Sequence, residues 1–229
     1  GKYAQKAAYF GNDFPKQNTT PNYTAEYDRY TSPGNVKLYT DKSNGAQLGT
    51  FFNVVVTPNY KSLQELSVEL AKQLTEYPNG TVSIVVNSTC SAPATISYNK
   101  ELAQRRIDSL IKFFADTKPL QPFISNKRLI ITSAKPAEVG GEEGSVLQYD
   151  EQKKDFIKGS TVNCTDKDGQ ASGGDTKAVS KDIYTTTAMA CRRAYIAKIE
   201  NNLTVPVTPP EPQTQDILVG NVVTSTVKV

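Results

Sequence analysis

The sequence predicts an α+β fold, and three observations carry that prediction. Apolar residues recur at helical spacing twice, at Leu63, Leu66, Leu70 and Leu74 and again at Leu102, Ala103, Ile107, Leu110 and Phe114. Short β-branched runs separate or follow these stretches: TVSIVV at 81–86, RLIITSA at 128–134 and AYIAKI at 194–199. Turn residues punctuate the boundaries, with Pro78-Asn79-Gly80 between the first helix and the next strand and Pro119 after the second helix.

Taken in order, residues 1–45 are rich in Tyr, Asn and Thr and poor in aliphatics; six of the twelve tyrosines precede residue 40. They read as an N-terminal extension over the domain surface, its rings either covering apolar area or offering a sugar platform. VKLYT (36–40), a turn at DKSNGA and QLGTFFNVVV (47–56) predict a hairpin, with FFNVVV a buried strand ended by Pro58. Ser62 and Glu65 match a capping box that starts the first helix, which should stop before Pro78; Val68 and Ala71 lie beside its leucines. Strand TVSIVV, a helix over 99–116 and strand RLIITSA follow.

Residues 135–177 form a long, charged, Gly-rich insertion in which YDEQKKDFI (149–157) reads as a short helix. DKDG at 166–169 lacks the third ligand and the twelfth-position Glu of a calcium loop, and GGEEG at 140–144 lacks the Lys-Ser/Thr of a phosphate loop. AVSKDIYTTTAMA (178–190) reads as a helix, although its Thr run works against it. Arg192 and Arg193 then open an alternating strand, which sends them to opposite faces. VPVTPPEPQTQ (205–215) is a Pro-rich linker, and 216–229 returns to strand character as an added edge strand, a donated strand or the start of another domain.

Composition narrows the function classes. The chain has 229 residues, 38% of them hydrophobic and 21% charged, which suits one sizeable domain with appendages. A net charge of +3 without a basic stripe gives no case for nucleic acid. No apolar run approaches the ~20 residues of a membrane helix. Gly1 is expected to be a processed or cloned end, since neither a signal peptide nor an initiator Met stands there. His is absent, which removes His-based triads, His-ligated zinc and most neutral-pH general bases. The three cysteines, Cys90, Cys164 and Cys191, make no CxxC, so no metal site and no cofactor are expected.

The densest information lies in YNKELAQRRIDSL (98–110). At ~100° per residue, its apolar side chains and those of Ile111, Phe113 and Phe114 fill an arc of about 180°. Lys100, Glu101, Gln104, Arg105, Asp108, Ser109 and Lys112 fall outside the arc or at its edge. Asn99 and Arg106, seven positions apart, fall inside it. An inward arginine needs an anionic partner, because an unpaired buried charge is costly. That partner is a carboxylate of the fold or of a ligand; a third reading has Arg106 snorkelling to the rim. Asn99 at the helix start adds free N–H groups and the positive dipole end, so the pair makes a carboxylate receptor.

This stretch resembles the helix signature of the OmpA-like, peptidoglycan-associated domain family, with Asn99, Leu102, Arg106 and Leu110 in place, Ala103 where Ser is usual and Ile107 where Ala is usual. Residues 50–77 look like that family's first strand and helix, 81–88 its second strand, 128–134 the strand after the signature helix, and 188–200 the closing helix end, Arg-Arg pair and last strand. The resemblance covers about two thirds of the chain. It implies a two-layer βαβαβ sandwich with helices on one face of a mixed sheet, to which the N-terminal hairpin and the C-terminal strand read above would be extra elements. The implied OmpA-like domain spans 46–204, carries the 135–177 insertion and is followed by the 205–229 segment.

Family members bind the diaminopimelate carboxylate of the peptidoglycan stem with this Arg and with an Asp in the loop after the second strand. The resemblance therefore assigns carboxylate binding to Arg106, Asn99 and Ser91, and a mostly structural role to Arg192 and Arg193. The aligned loop, Asn87 to Ser97, has no acidic residue; Cys90 or Ser91 stands near the expected place. Losing that charged hydrogen bond removes ~1.5–3 kcal/mol, or one to two decades of affinity. The resemblance also pairs Cys164 with Cys191, contributing ~3 kcal/mol and implying an oxidising compartment; three separate buried thiols are the alternative. The leading expectation is a non-catalytic module of the periplasm or outer membrane, in a lipoprotein or outer-membrane protein, that binds the peptidoglycan stem peptide. Next stands the same fold without that binding, serving as a structural or protein-interaction module for an envelope protein. An enzyme comes last, for want of His, clustered carboxylates or a nucleophile motif.

Overall fold

The computed structural model describes residues 1–42, 45–91, 96–134, 147–150, 152, 155–158, 164 and 183–204. The expected C-terminal linker and strand, 205–229, and most of the 135–177 insertion lie outside these residues. The described architecture is α+β, built on a mixed four-stranded sheet.

The first strand is not FFNVVV. It is β1 (Ala7–Tyr9), inside the expected extension, and it pairs antiparallel with β6 (Arg193–Asn202) through Ala7↔Tyr195 and Tyr9↔Arg193. Residues 1–45 thus supply a sheet strand and buried core tyrosines. The expected hairpin over 36–56 is helical instead: α1 (Tyr23–Tyr30), α2 (Pro33–Thr40), α3 (Gly45–Phe51), a π-helical turn (Phe52–Val56) and α4 (Thr57–Glu76). The physical reason is the burial period. Phe51, Phe52, Val55 and Val56 are buried while Val54 is 41% exposed. That is a helical stripe, and tertiary packing of the stripe overrides the β preference of valine.

Because the chain enters α4 already helical, Ser62 and Glu65 lie inside it, five and eight positions past Thr57, and cap nothing. The helix does end before Pro78, and Gly80 closes the turn by donating its N–H to the Tyr77 carbonyl at 2.8 Å. Leu63, Leu66, Leu70 and Leu74 are all buried. Val68, ~140° from Leu63 at 100° per residue, is 72% exposed.

Strand β2 (Thr81–Thr89) runs parallel to β3 (Leu129–Ser133) and antiparallel to β6, giving the order β1-β6-β2-β3. The β2–β6 register shifts between Val85 and Val86. Beyond that irregularity β2 stops alternating, and Val86 to Thr89 are all buried. The second long helix, α5 (Ile96–Ala115), follows β2; a 3-10 turn (Lys118–Leu120) and α6 (Gln121–Ser125) lead into β3. Helices α4 and α5 cover one face of the sheet, with Leu63, Leu70, Ile107, Leu110 and Phe114 against Ile84, Val86 and Ile196. Each such side chain contributes ~1.5–3 kcal/mol on burial.

A second core lies on the other face of β1 and of the start of β6, so helices do not keep to one face. Tyr9 and Tyr195 meet Tyr30, Tyr39, Phe51, Phe52, Val55 and Val56 there. It also holds α7 (Thr186–Cys191), a shorter helix than the expected 178–190, whose residues 178–182 are not described. Thr185 caps α7 through its side chain, which accepts the Ala188 N–H at 3.0 Å, so the Thr run starts this helix instead of filling it. A disulfide joins Cys164 to Cys191. The expected helix at 149–157 is an antiparallel hairpin of β4 (Leu147–Asp150) and β5 (Asp155–Lys158), with Tyr149 opposite Phe156.

Candidate functional site

Arg106 lies where the helical count put it, facing inward from α5, and it is 0% exposed. Its partners are three main-chain carbonyls and one thiol. Nε donates to Phe14 O at 3.0 Å, Nη1 to Thr89 O at 3.2 Å and to Cys90 Sγ at 3.3 Å, and Nη2 to Gly11 O at 3.4 Å. Its face also meets the Phe10 ring, 5.6 Å from the centroid. Among the described residues no carboxylate pairs with it. Burial pushes its pKa down from the ordinary arginine value; Cys90 opposes that shift and the nearby Arg192 charge adds to it.

The rest of the predicted receptor collects around this guanidinium. Asn99 is 1% exposed, and its Nδ2 donates to Ser91 O at 3.4 Å. Ser91 is 7% exposed at the end of the β2 segment. Cys90 donates its S–H to Asn99 O at 3.2 Å while accepting from Arg106. Burial raises the Cys90 thiol above its ordinary value, and Arg106 only partly offsets this. The thiol therefore stays protonated at neutral pH and acts as a small donor–acceptor bridge between strand and helix. Asn99, Ser91 and Arg106 thus form one buried polar knot, in which every nitrogen of the Arg106 guanidinium is engaged.

The knot is covered by a segment that sequence reasoning passed over. Gly11 to Lys16 leaves β1 and crosses the start of α5. Arg106 binds the Gly11 and Phe14 carbonyls, and Arg105 Nε donates to Pro15 O at 2.8 Å. From the other side the Arg29 guanidinium lies 3.2 Å from the Phe14 ring centroid, itself paired with Glu26 at 2.8 Å. Asp13 accepts from the Tyr98 hydroxyl and from Lys16 Nζ at 2.5 Å. Burial alone would raise the Asp13 carboxyl; the hydrogen bonds from Lys16 and Tyr98 and the charges of Lys16 and Arg105 outweigh it and hold it below the ordinary range. Asp13 is therefore the acidic group at the start of α5, although it stands 85 positions before its partner Tyr98. The Gly-Asn-Asp-Phe-Pro cluster signals a turn, but nothing local says where the turn lands.

The Arg-Arg pair does not split across the sheet. Arg192 precedes β6 and so escapes its alternation; its Nη2 donates to Ile183 O at 2.9 Å and to Tyr39 Oη at 3.4 Å. Arg193 stacks 4.4 Å from the Tyr195 ring centroid. Both guanidiniums thus meet tyrosines of the second core. Cys164 and Cys191 are bonded to each other, and Cys90 is free and buried.

Two described cavities lie elsewhere. One of about 220 Å³ is lined by Tyr3, Leu66, Leu70 and Ile199, the other of about 130 Å³ by Tyr23, Phe113 and Thr117; neither touches Asn99, Ser91 or Arg106. No described helix is long and apolar enough to cross a membrane. Compared with known proteins, the chain matches no family model and no curated sequence.

Proposed function

We propose that this protein is a non-catalytic structural or protein-interaction module of the bacterial cell envelope, built on an OmpA-like scaffold whose arginine receptor has been turned inward. The carrying observation is the state of Arg106. Its Nε and both terminal nitrogens are engaged, by Gly11, Phe14, Thr89 and Cys90. A guanidinium so engaged fastens the N-terminal segment to α5; taking a stem-peptide carboxylate would mean breaking several of those bonds. The β-α-β-α-β order around a mixed sheet and the Cys164–Cys191 bond support the scaffold and the oxidising compartment. The partner-facing element we favour is β3, which with β1 forms the two edges of the sheet among the described residues and is uncharged from Leu129 to Ser133, with Ile130 46% exposed. An extended segment of an envelope protein can add to such an edge by main-chain hydrogen bonds.

A second reading, stem-peptide binding over the start of α5, is favoured by one observation. Asp13 and Arg105 put both charge signs there, and Arg105 keeps an unpartnered buried Nη2. Titration with a diaminopimelate-containing muropeptide separates the two. No saturable binding is expected from the folded wild type. Saturable binding abolished by Arg105→Ala or Asp13→Ala, in variants that circular dichroism shows to be folded, would overturn the first reading in favour of the second.

A further inference from the structure

Arg192 and Arg193 are 0% and 3% exposed. Unlike Arg106, neither is satisfied: Nε and Nη1 of Arg192, and Nε and Nη2 of Arg193, are buried without a hydrogen-bond partner. No described carboxylate forms an ion pair with either one. A buried guanidinium without a counter-charge costs several kcal/mol, more than most folds spend on one residue. The two are adjacent in sequence and both turn into the same tyrosine cluster, where no described carboxylate balances them.

Their surroundings are polar in one sense only. Tyr9 stands directly opposite Arg193 in the β1–β6 register, Tyr195 lies under its guanidinium, and Tyr39 is bonded to Arg192. Tyr30 lies beside Tyr39, 5.9 Å between ring centroids. Burial raises both the Tyr9 and the Tyr30 hydroxyls above the ordinary tyrosine value, so they stay neutral at physiological pH. They cannot serve as counter-ions, but they can donate hydrogen bonds. The backbone is pinned as well. Arg193 pairs with Tyr9 on one side and Thr89 on the other, the Arg192 carbonyl accepts from Phe10 N at 2.9 Å, and Cys191 is tied to Cys164. Paired guanidiniums flanked by neutral hydroxyls on a rigid strand are the donor set that a tetrahedral oxyanion needs.

We propose that Arg192 and Arg193 form an anion-binding site in the second core for a doubly charged oxyanion of the phosphate class, either the free ion or a phosphate monoester. A dianion balances the two guanidiniums, which a monocarboxylate does not. The guanidiniums of this site meet tyrosines of the second core and not the carbonyls that hold Arg106, and the proposal does not depend on the function proposed above.

The test is thermal unfolding and calorimetric titration of the full chain with sodium phosphate and with phosphoserine, at constant ionic strength set with sodium chloride. Phosphate is expected to raise Tm saturably where chloride does not. Arg192→Met and Arg193→Met should each lower the apparent phosphate affinity at least tenfold, while Lys112→Met, at an exposed cation of α5, should leave it unchanged. A matching response to phosphoserine assigns the site to monoesters, and its absence assigns it to the free ion; both support the site. Should a Met variant fail to fold, Arg193→Lys keeps the charge but loses the fork and should still weaken phosphate at least tenfold. No phosphate-specific response in the wild type, or a response retained in both folded Met variants, would overturn the proposal.

Discussion

At the scale of single residues, Arg106 illustrates how one inward guanidinium can serve structure instead of ligand. Three carbonyls and a thiol accept from it, two of them in a segment more than ninety positions away. Arg106→Ala strands those buried acceptors and leaves a cavity, so it should lower unfolding free energy by ~3–5 kcal/mol, read from the urea midpoint. Arg106→Lys should recover only part of that, because an ammonium cannot reach acceptors spread around a planar fork. Cys90 gives a second residue-scale prediction. Its raised pKa and 1% exposure leave almost no thiolate in the native state. Alkylation by iodoacetamide should therefore be slow in native buffer and complete in denaturant, where one thiol is counted before reduction. Asn99 and Arg106 were legible in the sequence because helical period alone sends them inward. Asp13 was not, because its relation to Tyr98 exists only after the chain has folded back on itself.

Elements show where local signals mislead. FFNVVV has strand composition yet ends α3 and forms the π-helical turn, because Phe51, Phe52, Val55 and Val56 bury a helical stripe against Tyr30 and Tyr39. The bend between α2 and α3 depends on Gly45, whose added Cβ would sit 1.8 Å from the Thr40 carbonyl oxygen. That contact is with backbone and cannot be relieved by a rotamer change. Gly45→Ala should therefore destabilise by ~2 kcal/mol or more, with a matching fall in Tm. The disulfide spans 27 positions and holds α7 beside the second core. Its reduction removes ~3–4 kcal/mol by the chain-entropy estimate, so dithiothreitol should lower the denaturant midpoint and Cys164→Ser should mimic it. Sequence resemblance had paired these cysteines; geometry shows what the pair restrains.

For the whole molecule, acid stability follows from where charge is held. Asp13 has a folded-state pKa below its ordinary value. A carboxylate so depressed contributes stability that is present above its unfolded pKa of ~3.9 and lost as pH falls through the folded value. The difference in urea midpoint between wild type and Asp13→Asn should therefore be constant from pH 7 to 5 and shrink below about pH 4. A difference that persists unchanged at pH 2 would assign the effect to shape and not to charge. The N-terminal segment also joins the two cores: Phe10 and Tyr23 lie in one, Tyr9 and Tyr30 in the other. Removing residues 1–22 should unfold the domain, not trim an appendage, which circular dichroism of the truncated chain would show.

By itself the sequence determined the α+β class, the long helices α4 and α5, the strands β2, β3 and β6, and the inward set of Asn99 and Arg106. All of these follow from periodicity over eight or more residues or from β-branched runs bounded by turns, which are properties of neighbours along the chain. Tertiary structure alone decided that Ala7–Tyr9 is an edge strand, that FFNVVV is helical, that Gly11–Lys16 closes over Arg106 and that Arg192 and Arg193 share one tyrosine core. Each of these depends on what lies opposite a residue in space, where burial of an aromatic face or satisfaction of a carbonyl outweighs the few tenths of a kcal/mol that local propensity supplies.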